Sequence, residues 1–124
     1  IINFVLATDM SSHFDKVGDA KNTLLGLINK PDKGIEFFEL KPKQQDTILQ
    51  LALKVADIGH TATPMDQHIR WVQRLQDEIF AQGDMERANA ITISPLMDRT
   101  KSGPCKGCNQ VGFFEVVVIP LYKL

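Results

Sequence analysis

The sequence predicts an all-α fold, and three observations carry that prediction. Apolar residues recur at intervals of three, four and seven over most of the chain. Proline and glycine punctuate it at helix-length intervals. The longest β-branched run, Val116-Val117-Val118-Ile119, has no evident partner strand elsewhere.

Taken in order, Phe14, Val17, Leu24, Leu25 and Ile28 fall on one face and predict a helix over Phe14–Ile28. Asn29–Gly34 (N-K-P-D-K-G) is a turn cluster that ends it. After Pro42, residues Ile48, Leu51, Ala52, Val55, Ala56 and Ile58 form a broad apolar face and predict a buried helix over Lys43–Ile58. Thr63 followed by Pro64 is a helix start, with the hydroxyl capping free N–H groups and proline in the first turn. Ile69, Val72, Leu75 and Ile79 then give the clearest amphipathic helix of the chain. Gly83 is expected to weaken it, with Asp84 capping a continuation to Ala90. Ser94-Pro95 repeats the start signal and predicts a short helix over Leu96–Arg99, and Ser102–Asn109 reads as a loop. For the last block an isolated strand would leave its backbone unpaired, so a buried helix bent near Pro120 is expected.

With 124 residues the chain makes one domain or part of a larger one. At 44% hydrophobic and 23% charged residues it is globular, not disordered or collagenous. A net charge of −1 provides no field for recruiting nucleic acid or anionic membrane. No apolar run approaches the roughly 20 residues of a bilayer span. Ile1 in place of Met, with apolar stretches at both ends, leads us to expect a segment of a longer domain. Cys105 and Cys108 form a lone C-x-x-C in a Gly/Pro-containing stretch. It lacks the further ligands of a zinc site and the strand–helix flanks of a thioredoxin-like site, so it reads as an ordinary reduced loop.

One residue resists a bland reading. Asp57 closes an apolar helix, and a buried unpaired carboxylate costs several kcal/mol, so it needs a cation, a donor cluster, a metal ion or a capping role. Taken singly, His13 and His60 are ordinary polar residues, and Leu75, Ile79, Met10 and Phe113 read as core. Trp71 reads as packing, and Gln110 as a cap or a partnered amide.

Together, however, the residues resemble a known family. Val5-Leu-Ala-Thr-Asp-Met-Ser11 with His13, Ala56-Asp-Ile-Gly-His60, Arg70-Trp71, Phe80 with Gln82-Gly-Asp84, Ser94-Pro-Leu-Met-Asp-Arg99 and Gln110-Val-Gly-Phe113 stand in the order they have in the C-terminal half of the class I 3′,5′-cyclic nucleotide phosphodiesterase catalytic domain. The resemblance spans nearly the whole chain and is weakest over Phe14–Leu40 and Lys101–Asn109. It implies residues 1–124 of one all-helical metallohydrolase domain of the HD type, cytoplasmic, that hydrolyses cAMP, cGMP or both to 5′-monophosphates.

By position, the resemblance implies Asp57 as a metal ligand and two divalent cations, zinc and magnesium, with manganese as an alternative. Gln110 would read the purine and Phe113 stack on it. His68, Val72, Leu75 and Ile79 would line the pocket, and His60, Ile58 and Met10 would lie toward the metals. The general-acid histidine and the other ligands would lie upstream, so the 124 residues alone are expected to be inactive and to need the N-terminal half of the domain as partner. Ile79 departs from the phenylalanine common in animal members, Asn109 from serine, and Cys105 and Cys108 have no counterpart role. A degenerate module that binds cyclic nucleotides without hydrolysing them is the alternative.

Overall fold

A computed structural model describes residues 1–28 and 36–124. The Asn29–Gly34 turn cluster lies outside the described residues. Every regular element among those described is helical: α1 (Ile2–Thr8), α2 (His13–Ile28), α3 (Pro42–Asp57), α4 (Met65–Ala88), α5 (Gly107–Phe113) and α6 (Ile119–Tyr122), with short 3₁₀ turns between them. The backbone falls into two compact units, residues 1–59 with 117–124 and residues 60–116.

In the first unit α3 packs on α1 and α2. Its start is fixed chemically: Pro42 occupies the first turn, and Gln44 Oε1 accepts from the Lys41 N–H at 3.2 Å. Ala7, Ala20, Leu27, Ile58, Val118 and Leu121 form the apolar core, and two basic side chains, His13 and Lys54, are buried with them. The expectation of a buried α3 is corrected. Lys54 is its one fully buried residue, while Ala52, Leu53 and Ala56 face solvent. The prediction for α2 holds to within one residue.

In the second unit α4 runs 24 residues from Met65 to Ala88 without a break at Gly83, contrary to the weakening expected there. The reason is tertiary. A Cβ at Gly83 would lie 1.9 Å from the carbonyl oxygen of Met97, so glycine lets the 94–101 segment lie directly on the helix. Glu86 holds the same segment, accepting from Ser94 N–H at 2.7 Å and Ser94 Oγ at 2.9 Å. Arg99 Nε donates to both Asp84 oxygens at 3.0 and 2.8 Å, and Arg87 pairs with Asp98 at 2.7 Å. Thr100 hydroxyl and N–H, with Arg87 and Lys101, hold the Asp98 carboxyl down at about 2.

Four other expectations are corrected here. Leu96–Arg99 is a turn, not a helix, with Leu96 at φ 67°. The segment is held by side chains from α4 rather than by its own backbone ladder. Thr63 caps nothing; its hydroxyl donates back to His60 O at 2.7 Å, and Pro64 takes the cap position of α4. The Ser102–Asn109 loop ends early, because α5 begins at Gly107. The final block is helical, as expected from the lack of a partner strand, but only Val118 and Leu121 are buried within it. Its irregularity is a π-helical turn over Phe114–Val118. That turn ends two residues before Pro120, which has no N–H for the regular register.

Candidate functional site

The sequence-predicted residues divide between the two units. Met10, Asp57 and Ile58 belong to the first. Asp57 is the last residue of α3 and is solvent-facing, so the buried carboxylate that the sequence suggested is not what the chain presents. Ile58, next along, is buried, and Met10 is exposed in the 3₁₀ turn after α1.

One turn before Asp57 stands Lys54, which sequence reasoning missed. Its ammonium donates to the carbonyls of Ala7, Thr8 and Asp9 at 3.1, 3.4 and 3.5 Å, tying the Val5–Ser11 motif to the helix that carries Asp57. Burial pushes the Lys54 amine below its ordinary range, and Asp57 and Asp9 push it back up. The signal was present: Lys54 lies three after Leu51 and four before Ile58, a lysine within an apolar stripe. His13 is likewise buried, against expectation. Neither ring nitrogen has a well-formed hydrogen bond among the described residues, and burial and then Lys54 hold its pKa below the usual histidine value.

The second unit brings His68, Val72 and Gln110 together. They line an open groove of about 590 Å³ between α4 and the α5 region, with Met65, Ile69 and Phe114 as its main apolar walls. That size suits a small organic ligand. Phe113, Leu75 and Ile79 are not among its walls; the aromatic ring there is Phe114, four residues after Gln110 rather than three. The π-helical turn begins at Phe114, and that local widening was not legible in the sequence. His68 meets the Phe114 ring edge-on at 5.5 Å, and its Nδ1 lies 3.2 Å from Nδ1 of His60, the two imidazoles nearly parallel. Trp71 is half exposed under Arg74 and packs into no core.

Gln110 is anchored. Its Nε2 donates to the Pro104 carbonyl at 2.9 Å, beside a matching bond from Asn109 Nδ2 to Gly103 O at 2.9 Å. Because a carbonyl only accepts, this bond settles which end of the amide faces Pro104. The other end, Oε1, is buried with no partner among the described residues. An unmet buried acceptor of this kind costs about 1–3 kcal/mol.

Across its full length, residues 1–124, the sequence matches the model of the 3′5′-cyclic nucleotide phosphodiesterase family. The chain belongs to this family. Among curated relatives of this phosphodiesterase family, it is 36% identical over 124 residues to the dual specificity calcium/calmodulin-dependent 3′,5′-cyclic nucleotide phosphodiesterase 1B of Bos taurus, covering all of this chain and 20% of that protein. It is 38% identical over 124 residues to the human 1C protein of the same description, covering all of this chain and 15% of that one. It is 33% identical over 127 residues to the dual 3′,5′-cyclic-AMP and -GMP phosphodiesterase beta of Plasmodium falciparum, covering 99% of this chain and 10% of that one. The chain thus spans a fifth or less of the length of these relatives.

The family is metal-dependent in general. Among the described residues no three His, Cys, Asp or Glu side chains cluster to hold a metal ion. Asp57 suits a hard divalent cation as one oxygen donor, but these residues do not form a complete site. Among the described residues no helix is long and apolar enough to cross a membrane.

Proposed function

We propose that the protein containing this chain hydrolyses 3′,5′-cyclic nucleotides, cAMP, cGMP or both, to 5′-monophosphates. The observation that carries the reading is Gln110, in a family member, with its amide anchored at one end and an unmet acceptor at the other beside an apolar groove. A purine edge pairs a hydrogen-bond donor with an acceptor, which the Gln110 amide complements once the groove wall shifts to open its buried Oε1 to the base. His68, Val72 and Phe114 supply the surfaces against which a base lies, while Phe113, Leu75 and Ile79, which are not walls of this groove, are proposed as substrate contacts by family position alone. His60, bonded to His68, sets the orientation of that wall. Holding the base by stacking and a directional amide fixes where the phosphate lies, which is the chain's own contribution to rate.

Asp57 is proposed as one oxygen ligand of a zinc and magnesium (or manganese) site whose other ligands the described residues do not supply, with Ile58 and Met10 beside it by family position. Solvent-facing Ile1, Ile2 and Phe38, at 99%, 75% and 89% exposure, would be covered by the rest of the same catalytic domain, which we place in the cytoplasm. The test is to incubate the purified full-length protein with cAMP and with cGMP plus divalent cations and measure 5′-monophosphate. Hydrolysis of either that stops on chelation is the expected result; binding of either without hydrolysis overturns the enzyme reading in favour of a binding module.

A further inference from the structure

The C-x-x-C pair has no part in the function above, yet it lies where a covalent change would matter. Cys105 and Cys108 are both free and exposed thiols. Pro104, whose carbonyl holds the Gln110 amide, directly precedes Cys105, and Gln110 follows Cys108 by two residues. Cys105 is itself a wall of the groove. Its N–H donates to Gln76 Oε1 at 3.1 Å and its Sγ lies 3.6 Å from Val72 O, whereas Cys108 Sγ lies 3.7 Å from Asn109 Oδ1. In the reduced state, then, each sulfur has a different neighbour.

Joining them requires the backbone between them to rearrange. Cys105 lies in the turn before α5 and Cys108 in its first turn, and a disulfide needs their Cβ atoms about 3.5–4.5 Å apart. Lys106 between them is extended, at φ −64° and ψ 129°, and a Cβ added at Gly107 would meet nothing, so no packing at that residue opposes a change of the turn. The atoms upstream are not free: a Cβ on Gly103 would meet Phe80 and Gln76 at 2.4 and 2.7 Å, so that end of the segment is wedged against α4. Tightening is therefore transmitted toward Pro104 O, Cys105 and the first turn of α5, which together orient Gln110.

We propose that Cys105 and Cys108 form a reversible thiol–disulfide switch that sets the orientation of Gln110; the effect on nucleotide rests on Gln110 reading the base. The Cys108 thiolate attacks one sulfur of glutathione disulfide, whose S–S bond breaks and releases one glutathione as thiolate. The Cys105 thiolate then attacks the Cys108 sulfur of the mixed disulfide and displaces the second glutathione. The two cysteines lose two electrons and two protons, and the oxidant becomes two glutathione thiols. Burial and then Asp77 push the Cys105 thiol up, which leaves the first attack to the more exposed Cys108. In a reducing compartment such a bond is transient, as a sensor requires.

The experiment equilibrates the full-length protein in glutathione buffers from fully reduced to glutathione disulfide excess, alkylates, digests and weighs the peptide carrying both cysteines. Expected is joint loss of both alkylation marks with two hydrogens lost from the pair, restored by dithiothreitol, and faster backbone amide exchange over residues 107–113. The KM for cyclic nucleotide should rise about tenfold with kcat held, the equivalent of one lost hydrogen bond. Cys108→Ser should show none of these responses. A peptide that stays doubly alkylated, or that stops at glutathione adducts, overturns the switch. A disulfide that forms while amide exchange stays unchanged overturns its control of Gln110. A reduced protein that hydrolyses neither nucleotide defeats the functional reading instead, and the mass and exchange results still decide the switch.

Discussion

Replacing Gly83 by alanine separates local helix physics from tertiary packing. In an open helix interior, glycine to alanine stabilises by about 1 kcal/mol, because alanine loses less backbone entropy. Gly26 in α2 is such a place, with nothing within 4 Å of an added Cβ. At Gly83 the same Cβ would lie 1.9 Å from Met97 O and 2.7 Å from Met97 C, both backbone atoms. The Met97 carbonyl would have to retreat by about 1.5 Å to regain ordinary contact. It cannot retreat alone, since Ser94 is held by Glu86 and Arg99 by Asp84. Overpacking of this kind costs about 1–3 kcal/mol, and against backbone the upper end applies, so about 2 kcal/mol remains after the propensity gain. In urea unfolding of the full protein, Gly83→Ala should lower the midpoint of the transition that reports this region by about 1 M. Gly26→Ala should raise its own, and protease cutting within residues 94–101 should increase only for Gly83→Ala. A Gly83→Ala protein as stable as Gly26→Ala would refute the close approach of Met97 to α4.

Three further outcomes follow from the first unit. His13 is buried with its pKa held below the ordinary histidine value of 6.5, so the unfolded chain binds its proton first as pH falls. Its stability contribution is intact above pH 6.5 and is lost progressively below it, and His13→Leu should flatten that part of a melting-temperature profile; an unchanged slope would assign the acid sensitivity elsewhere. Lys54→Met keeps the stem but leaves the Ala7, Thr8 and Asp9 carbonyls without their donor, and should cost about 1–3 kcal/mol, with faster amide exchange in α1 and the turn after it. Unchanged exchange there would remove the tie between the two motifs. Asp57→Ala in the full protein should lower bound divalent metal by elemental analysis and reduce hydrolysis on the order of a thousandfold while leaving the melting temperature of this solvent-facing position nearly unchanged; full metal content would end its assignment as a ligand.

What the sequence made legible is what periodicity and punctuation encode. The helix predicted over Phe14–Ile28 lies at His13–Ile28, and that predicted over Lys43–Ile58 lies at Pro42–Asp57. The absence of a partner for Val116–Ile119 correctly outweighed its strand propensity. What stayed hidden was tertiary. Gly83 reads as a helix breaker until Met97 is seen against it, and Ser94-Pro95 reads as a helix start until Glu86 is seen to hold Ser94. The site divides in the same way. Ordered motifs pointed to Gln110, His68 and Val72, which the structure brings together, whereas the Pro104 anchor, the Lys54 clamp and the turn that puts Phe114 on the groove depend on backbone atoms that no side-chain pattern records.

The account's central claim, that Gln110 reads a purine in this groove, is tested most directly by steady-state kinetics of the full protein with cAMP and cGMP, wild type against Gln110→Ala. The predicted result is a KM for the preferred nucleotide raised about 10- to 100-fold, the equivalent of one or two lost hydrogen bonds, with kcat changed far less. Unchanged KM for both nucleotides in a folded variant would contradict it.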